Sequence, residues 1–234
     1  MNEAKISIII PVLNEEKTIT SVLAKLINSP HIQIIIVDGG SVDNTIKVAE
    51  IFRQNTDVEV QILETVRGRA HQMNMGAKSA TGEILLFLHA DTQLPDRFEK
   101  WVRQVLDEPN VIAGAFELKI TASVRGLRWV EQGVKWRSHF LQMPYGDQAI
   151  FLKASTFWDV GGFRELPLME DFELVNQLRR RGKIALVPVA VTTSGRRWQK
   201  LGVLRTTLIN QIIIIAYLLG VSPSRLANWY RSKH

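Results

Sequence analysis

Residues 6–16 read ISIIIPVLNEE, and the fold class follows from that stretch. Four of its first five residues are isoleucine, so no polar face alternates with the apolar one. A run of that kind suits a strand covered on both faces, as in a parallel sheet. Pro11 closes it. Beyond, Asn14 is available as an N-cap, and Ile19, Val22, Leu23, Leu26 and Ile27 recur at helical spacing over residues 15–28.

Outward from this unit the alternation repeats. Buried strands are expected at 33–37, 58–63 and 84–88, with helices at 43–53 and 69–79 between them. Four strands joined by three helices describe a parallel sheet with crossover connections. Past Pro95 the spacing predicts helices at 98–106, 124–140 and 172–181, and extended segments at 111–120, 149–152 and 184–191. A long apolar helix is expected at 203–219, then a short one opened by Ser222-Pro223. The expectation is therefore an α/β fold in which residues 1–195 form one domain, a mostly parallel central sheet flanked by helices. Residues 196–234 add a basic and apolar helical appendage, packed on the domain or touching a membrane.

With 46% hydrophobic and 22% charged residues the chain can bury a sizeable core. The absence of cysteine excludes a disulfide framework and thiolate metal sites, and fits a cytoplasmic protein. The first apolar run is too short for a signal peptide. Charge is divided unevenly: residues 174–234 carry 11 Lys/Arg and no acid, residues 1–173 carry 18 Lys/Arg against 23 Asp/Glu, and the net charge is +6. A basic tail on an acidic body points to a phosphate-bearing partner, such as an anionic lipid or a nucleoside diphosphate. Nucleic acid is disfavoured, because no recognition module accompanies the charge. The apolar run at 208–221 is shorter than the about 20 residues a spanning helix needs. Arg196, Arg197, Lys200 and Arg205 precede it and Arg225, Arg231 and Lys233 follow, with Trp229 and Tyr230 nearby. That pattern suits peripheral contact with a membrane, a helix packed on the sheet, or a dimer contact.

In open parallel sheets ligands bind beyond the carboxyl ends of the strands. Asn14 and Glu15 follow the first expected strand, Asp38 the second and Asp91 the fourth. Several amides and carboxylates on one rim imply a shared site.

Six segments then fall in one order: SIIIPVLNEE, VDGGSVDNT, GRAHQMNMGA, LLFLHADTQL, PYGDQAIFLKASTFWDVGGF and LMEDFELVNQLRRRG. Over roughly residues 5–195 the chain resembles the family 2 glycosyltransferases, which have the GT-A nucleotide-sugar fold, and PYGDQ and SGRRW look closest to a small bacterial subgroup. The resemblance implies inverting transfer of a sugar from a nucleoside-diphosphate sugar, a UDP-sugar before others, to a hydroxyl acceptor that is lipid-linked or small and polar. It puts Pro11, Asn14, Glu15 and Asp38 around the donor's base, and Arg69 and Asn74 near the donor, with Arg67 able to share the diphosphate.

His89-Ala90-Asp91 stands where the family has Asp-x-Asp, whose carboxylate holds Mn2+ or Mg2+ against the diphosphate. Asp91 is the expected ligand. His89 suits Mn2+ better than Mg2+, or else packs against the ribose or simply ends its strand. Asp171 matches the general base that takes the acceptor's proton, with Glu170 and Asp147 on the acceptor side. Arg197 and Trp198 resemble part of the Gln-x-x-Arg-Trp element of processive members, and would supply a cation and an aromatic face. The Gln is missing, which argues against long polymers. A nucleotidyltransferase would need a glycine-rich loop after the first strand, and PVLNEE has none. The alternative is a non-catalytic protein that binds nucleotide-sugars or a membrane surface.

Overall fold

The computed structural model describes residues 3–122, 124 and 126–232. The elements run β1 (Ile6–Val12), α1 (Glu16–Ala24), β2 (Ile32–Asp38), α2 (Thr45–Gln54), β3 (Glu59–Glu64), α3 (Arg69–Ser79), β4 (Ile84–Phe87) and the two-residue β5 (Thr92–Gln93). Then come α4 (Phe98–Leu106), β6 (Val111–Thr121), α5 (Leu127–Phe140), β7 (Phe151–Lys153), α6 (Ala154–Asp159), α7 (Glu170–Arg179), β8 (Lys183–Ser194), α8 (Arg196–Leu201), α9 (Val203–Leu218) and α10 (Pro223–Ser232). The eight strands form one sheet in the order β3-β2-β1-β4-β7-β6-β8-β5. β1 pairs in parallel with β2 and β4, β2 with β3, and β6 with β8; β7 runs antiparallel to β4 and β6, and β5 antiparallel to β8.

The isoleucine run explains the layering. Ile8 and Ile10 point into one apolar cluster, with Ile19 and Val22 of α1, Ala49 of α2 and Phe98 and Val102 of α4. Ile9 points into the other, with Ala70, Met73 and Ala77 of α3, Leu174 and Val175 of α7, and Ile209 and Ile213 of α9. Burying each such side chain contributes about 1.5–3 kcal/mol, so both faces of β1 anchor the fold. α3 approaches so closely that a Cβ on Gly76 would lie 2.5 Å from Ile9 Cγ2.

The expected alternation is present, with shifted ends. α1 stops at Ala24, and residues 25 and 26 donate to carbonyls three residues back, at 3.1 and 2.9 Å, a tighter turn that ends the helix before Pro30. Asn14 is not the cap of α1: it has φ 55°, and its side chain accepts from the Val42 N–H instead. The helix expected from 124 starts at Leu127, after Gly126 at φ 95°, while residues 123 and 125 lie outside the described residues. The strand expected at 149–152 begins only at Phe151, because a 3-10 turn, Gly146–Gln148, and a left-handed Ala149 precede it. Within SGRRW, Ser194 ends β8, Gly195 caps α8 and Arg196–Trp198 open that helix.

The C-terminal helices are both packed and exposed. α9 buries Thr206, Ile209 and Ile213, and the Tyr217 hydroxyl donates to Glu173 Oε1 at 2.6 Å, tying α9 to α7. α9 also leaves Leu204, Leu208, Ile212, Ile215 and Leu218 exposed, and Leu219 just after it. No helix among the described residues is long and apolar enough to cross a membrane.

Candidate active site

Parallel pairing brings the carboxyl ends of β1, β2 and β4 to one edge, and the antiparallel β7 adds its amino end there, since Leu86 pairs with Phe151 and Ile84 with Lys153. The turn before β7 therefore lies beside the residues that follow β4.

The loops after β1 and β2 are closed by hydrogen bonds within and between them. Asp38 is buried at the end of β2, and its Oδ2 accepts from the N–H groups of Gly40 and Ser41, both at 2.9 Å. Ser41 Oγ donates to Asp38 Oδ1 and accepts from the Asn14 N–H at 2.9 Å. The Glu15 N–H donates to Thr45 Oγ1 at 2.8 Å. This is an Asx-type turn holding one loop against the next. Pro11 lies half-buried in β1, opposite Val37.

A second group gathers around the starts of α3 and α7. Arg69 Nε donates to Glu170 Oε1 in a close ion pair whose carboxylate is only 2% exposed. Burial pulls the Arg69 guanidinium down, but the charges of Glu170 and Asp171 outweigh it and hold the group charged. Asp171 Oδ2 accepts from the Gly146 N–H at 2.9 Å, and Oδ1 from its own helix through the Phe172 N–H at 2.8 Å. His89, Arg69, Gly146 and Asp171 line one small cavity with Met73, Phe87, Ile150 and Phe163. The approach at Gly146 is tight: a Cβ there would lie 3.0 Å from His89 Nε2 and 3.2 Å from Asp171 Oδ2. Burial first, then the Arg69 charge, pushes the His89 imidazole down to about 4, so the ring is neutral and keeps a lone pair near pH 7. The Asp147 carboxyl is raised by burial and by Asp171, and its Oδ1 is buried without a hydrogen-bond partner.

The third group comes from the C-terminal helices. Arg196 of α8 reaches across the rim, its Nη2 donating to Glu15 Oε2 at 3.2 Å and to Asp91 Oδ2 at 3.3 Å. Arg197 stacks 4.9 Å from the ring centre of Tyr230 on α10. Tyr230 is raised chiefly by burial, and it feels Arg197, Arg69 and Asp171. The C-terminal helices thus wall the site.

Several expected residues lie elsewhere in the network. Asn74 donates to the Phe163 carbonyl at 2.8 Å and accepts from the Phe163 N–H at 2.9 Å, so its amide holds the 161–163 loop. Trp198 packs against the core with Val203, its indole N–H buried without a partner, and Tyr230 is the aromatic beside the site. Arg67 is exposed. Sequence reasoning read Arg196 and Tyr230 as flanks of the apolar helix rather than site residues, and missed Gln148. Gln148 is fully buried and accepts from Ser138 Oγ at 2.9 Å and the Tyr145 N–H at 3.2 Å while donating to the Phe116 carbonyl at 2.8 Å, which shapes the 146–148 turn. Its signal was the Gln beside Asp147 in PYGDQ; that of Arg196 was the basic doublet.

Among the described residues no three His, Asp or Glu side chains converge as a metal site. His89 and Asp91, two positions apart after β4, offer the imidazole and carboxylate chemistry that a borderline cation accepts.

The family model described as Glycosyl transferase family 2 matches residues 7–164. The poly-beta-1,6-N-acetyl-D-glucosamine synthase of Staphylococcus epidermidis is 36% identical over 93 residues, 39% of this chain and 23% of that protein. The chain spans well under half the length of the curated relatives it matches. Among solved structures, the mannosyltransferase PcManGT from Pyrobaculum calidifontis, in complex with GDP-Man and Mn2+, covers 97% of this chain and 69% of its own at TM-score 0.73 and 20% identity. A fragment of S. aureus TarS in complex with UDP-GlcNAc covers 82% and 59%, at TM-score 0.65 and 22% identity. At such identities the likeness is one of fold.

Proposed function

The chain belongs to glycosyl transferase family 2, and on that premise we propose that it transfers a sugar from a nucleoside-diphosphate sugar, a UDP-sugar before others, to a hydroxyl acceptor, with inversion. The observation that carries this reading is the convergence of Asp171, His89 and the Glu170-paired Arg69 on one cavity at the carboxyl edge of the sheet, with Asp91 two residues beyond His89. PcManGT holds GDP-Man and TarS holds UDP-GlcNAc; TarS is also 31% identical to this chain over 109 residues, which favours the uracil base.

In this reading Asp171 accepts the acceptor hydroxyl's proton. Two backbone N–H groups fix its carboxylate, one per oxygen, and each oxygen keeps a lone pair for the substrate. Glu170, committed to Arg69, is a positioning residue, and the pair aligns the guanidinium with the donor's phosphates. Asp38, Asn14 and Glu15 shape the base pocket through their own loop bonds. Asp91 and His89 would hold a divalent cation, Mn2+ in preference to Mg2+, and such a cation neutralises charge on the departing diphosphate when bound. The Mn2+ present with PcManGT supports that assignment.

The reading also takes the enzyme as cytoplasmic, with residues 196–234 as an appendage that touches an anionic membrane through the exposed row on α9. Arg205 and Arg225 flank that row, and a second copy docked there would set basic against basic. Vesicle binding reads this contact directly.

Replacing Asp171 and Asp91 each by Asn tests the chemistry. A general base contributes roughly 100- to 10,000-fold, so Asp171→Asn should lose transfer and donor hydrolysis to that extent while still binding UDP. Wild-type turnover in either variant would overturn the assignment.

A further inference from the structure

Beyond the catalytic cluster, α8 and α10 enclose a groove lined by Arg196, Arg197, Lys200, Leu201, Tyr230 and Arg231. Four of these six side chains are cationic, and no acidic residue occurs anywhere after Glu173. Arg196 has its charge already shared by Glu15 and Asp91 on the donor rim. Tyr230 feels the charges of Asp171 and Arg69 and has Arg197 over its ring. Arg231 is exposed on the last turn of α10. The groove thus shares residues with the donor rim and feels the charge of the base that would receive an acceptor proton.

We propose that this groove binds a phosphate group carried by the acceptor, whose hydroxyl then meets Asp171; the inference rests on the transferase reading above and adds the acceptor's chemical class. A phosphomonoester carries close to two negative charges and several acceptor oxygens at neutral pH. Guanidinium groups bind such an ion through paired N–H donors, and a Lys adds a point charge. A neutral sugar acceptor would gain little from this concentration of charge. The Arg197–Tyr230 stack holds one guanidinium in place, which lowers the entropy lost on binding. The phosphate can belong to a lipid headgroup or to a soluble phosphorylated molecule, for both present the same oxygens. α9, which carries the exposed apolar row, packs against both α8 and α10.

The test uses the full chain and calorimetric titration with glycerol 3-phosphate, with UDP in a separate arm. Glycerol 3-phosphate should bind the wild type, and Arg231→Gln and Lys200→Gln should each weaken it about tenfold, the loss expected for one charge-assisted hydrogen bond. Arg231→Lys should restore most of it, and UDP affinity should change less than about twofold. Vesicles of phosphatidic acid in phosphatidylcholine supply the lipid arm. Tighter binding to them than to glycerol 3-phosphate, lost in Arg231→Gln, assigns a lipid phosphate; equal or weaker binding assigns a soluble one. Glycerol 3-phosphate binding that ignores both substitutions overturns the proposal. So does displacement by UDP with parallel losses, since the groove would then hold the donor. Failure of UDP to bind wild type, with phosphate binding intact and dependent on Arg231, would instead sink the transferase reading and leave the groove standing.

Discussion

The two halves of the rim are built in opposite ways. After β1 and β2 the polar groups are closed by near neighbours: Asp38 holds Gly40 and Ser41, two and three residues on, and Asn14 bonds Ser41 and Val42 on the adjacent strand's loop. Across the rest of the rim the ion-pair partners come from afar. Arg69 and Glu170 are 101 residues apart, Arg196 and Asp91 105, and Arg196 and Glu15 181. The first half combines an Asx turn, set by local chain chemistry at Asp38, with bonds between the loops of two adjacent strands 27 to 30 residues apart. The second exists only after the sheet and the C-terminal helices have packed. It costs loop-closure entropy that burial on both sheet faces offsets.

Glu170→Gln should break this contrast most visibly. It leaves Arg69 facing an uncharged amide, and because Arg69 is 41% exposed the loss should be about 2–3 kcal/mol, below that for a fully buried pair. In the local half, Ser41→Ala should cost about 1 kcal/mol. Equal losses in urea unfolding would erase the distinction.

A pH series sharpens it next. The folded protein resists a proton on His89, held near 4 mainly by burial, that the unfolded chain accepts below 6.5. The stability from this group is complete above about 6.5 and declines as pH falls toward about 4. Asp147, raised by burial, acts in the opposite sense just above 3.8, so the difference between wild type and His89→Gln is the quantity to read. If both unfolding curves keep the same slope across that window, His89 is not depressed by its surroundings.

The smallest effect belongs to Arg196→Ala. Arg196 is 54% exposed, so removing it should change stability by less than about 1 kcal/mol, while amide exchange in α8 becomes faster. A loss of several kcal/mol would mean that the bridge to Glu15 and Asp91, rather than the packing of Trp198 and Val203, holds the C-terminal helices in place.

How far the sequence could be read follows the same division. The isoleucine run and the helical spacings located the sheet and its crossover helices within a few residues, because apolar periodicity is a short-range property. The positions of Asp38, Asp91 and Asp171 were legible from strand ends and family segments. The uses of Asn14, Asn74 and Trp198 were not. Asn14 bridges two loops, Asn74 spends its amide on the Phe163 backbone, and Trp198 turns into the core. An amide or an indole serves a ligand or a loop equally well, and the choice depends on which backbone groups lie near it after folding.

By itself the sequence determined a mostly parallel α/β sheet, a polar rim at its carboxyl edge, and a C-terminal segment of one charge sign. Tertiary structure alone decided that α8 and α10 fold back over that rim, setting Arg196 on Asp91 and Tyr230 beside Asp171. Burial patterns report which face of an element is dry. Which distant face it meets is settled only when sheet order and helix packing bring them together.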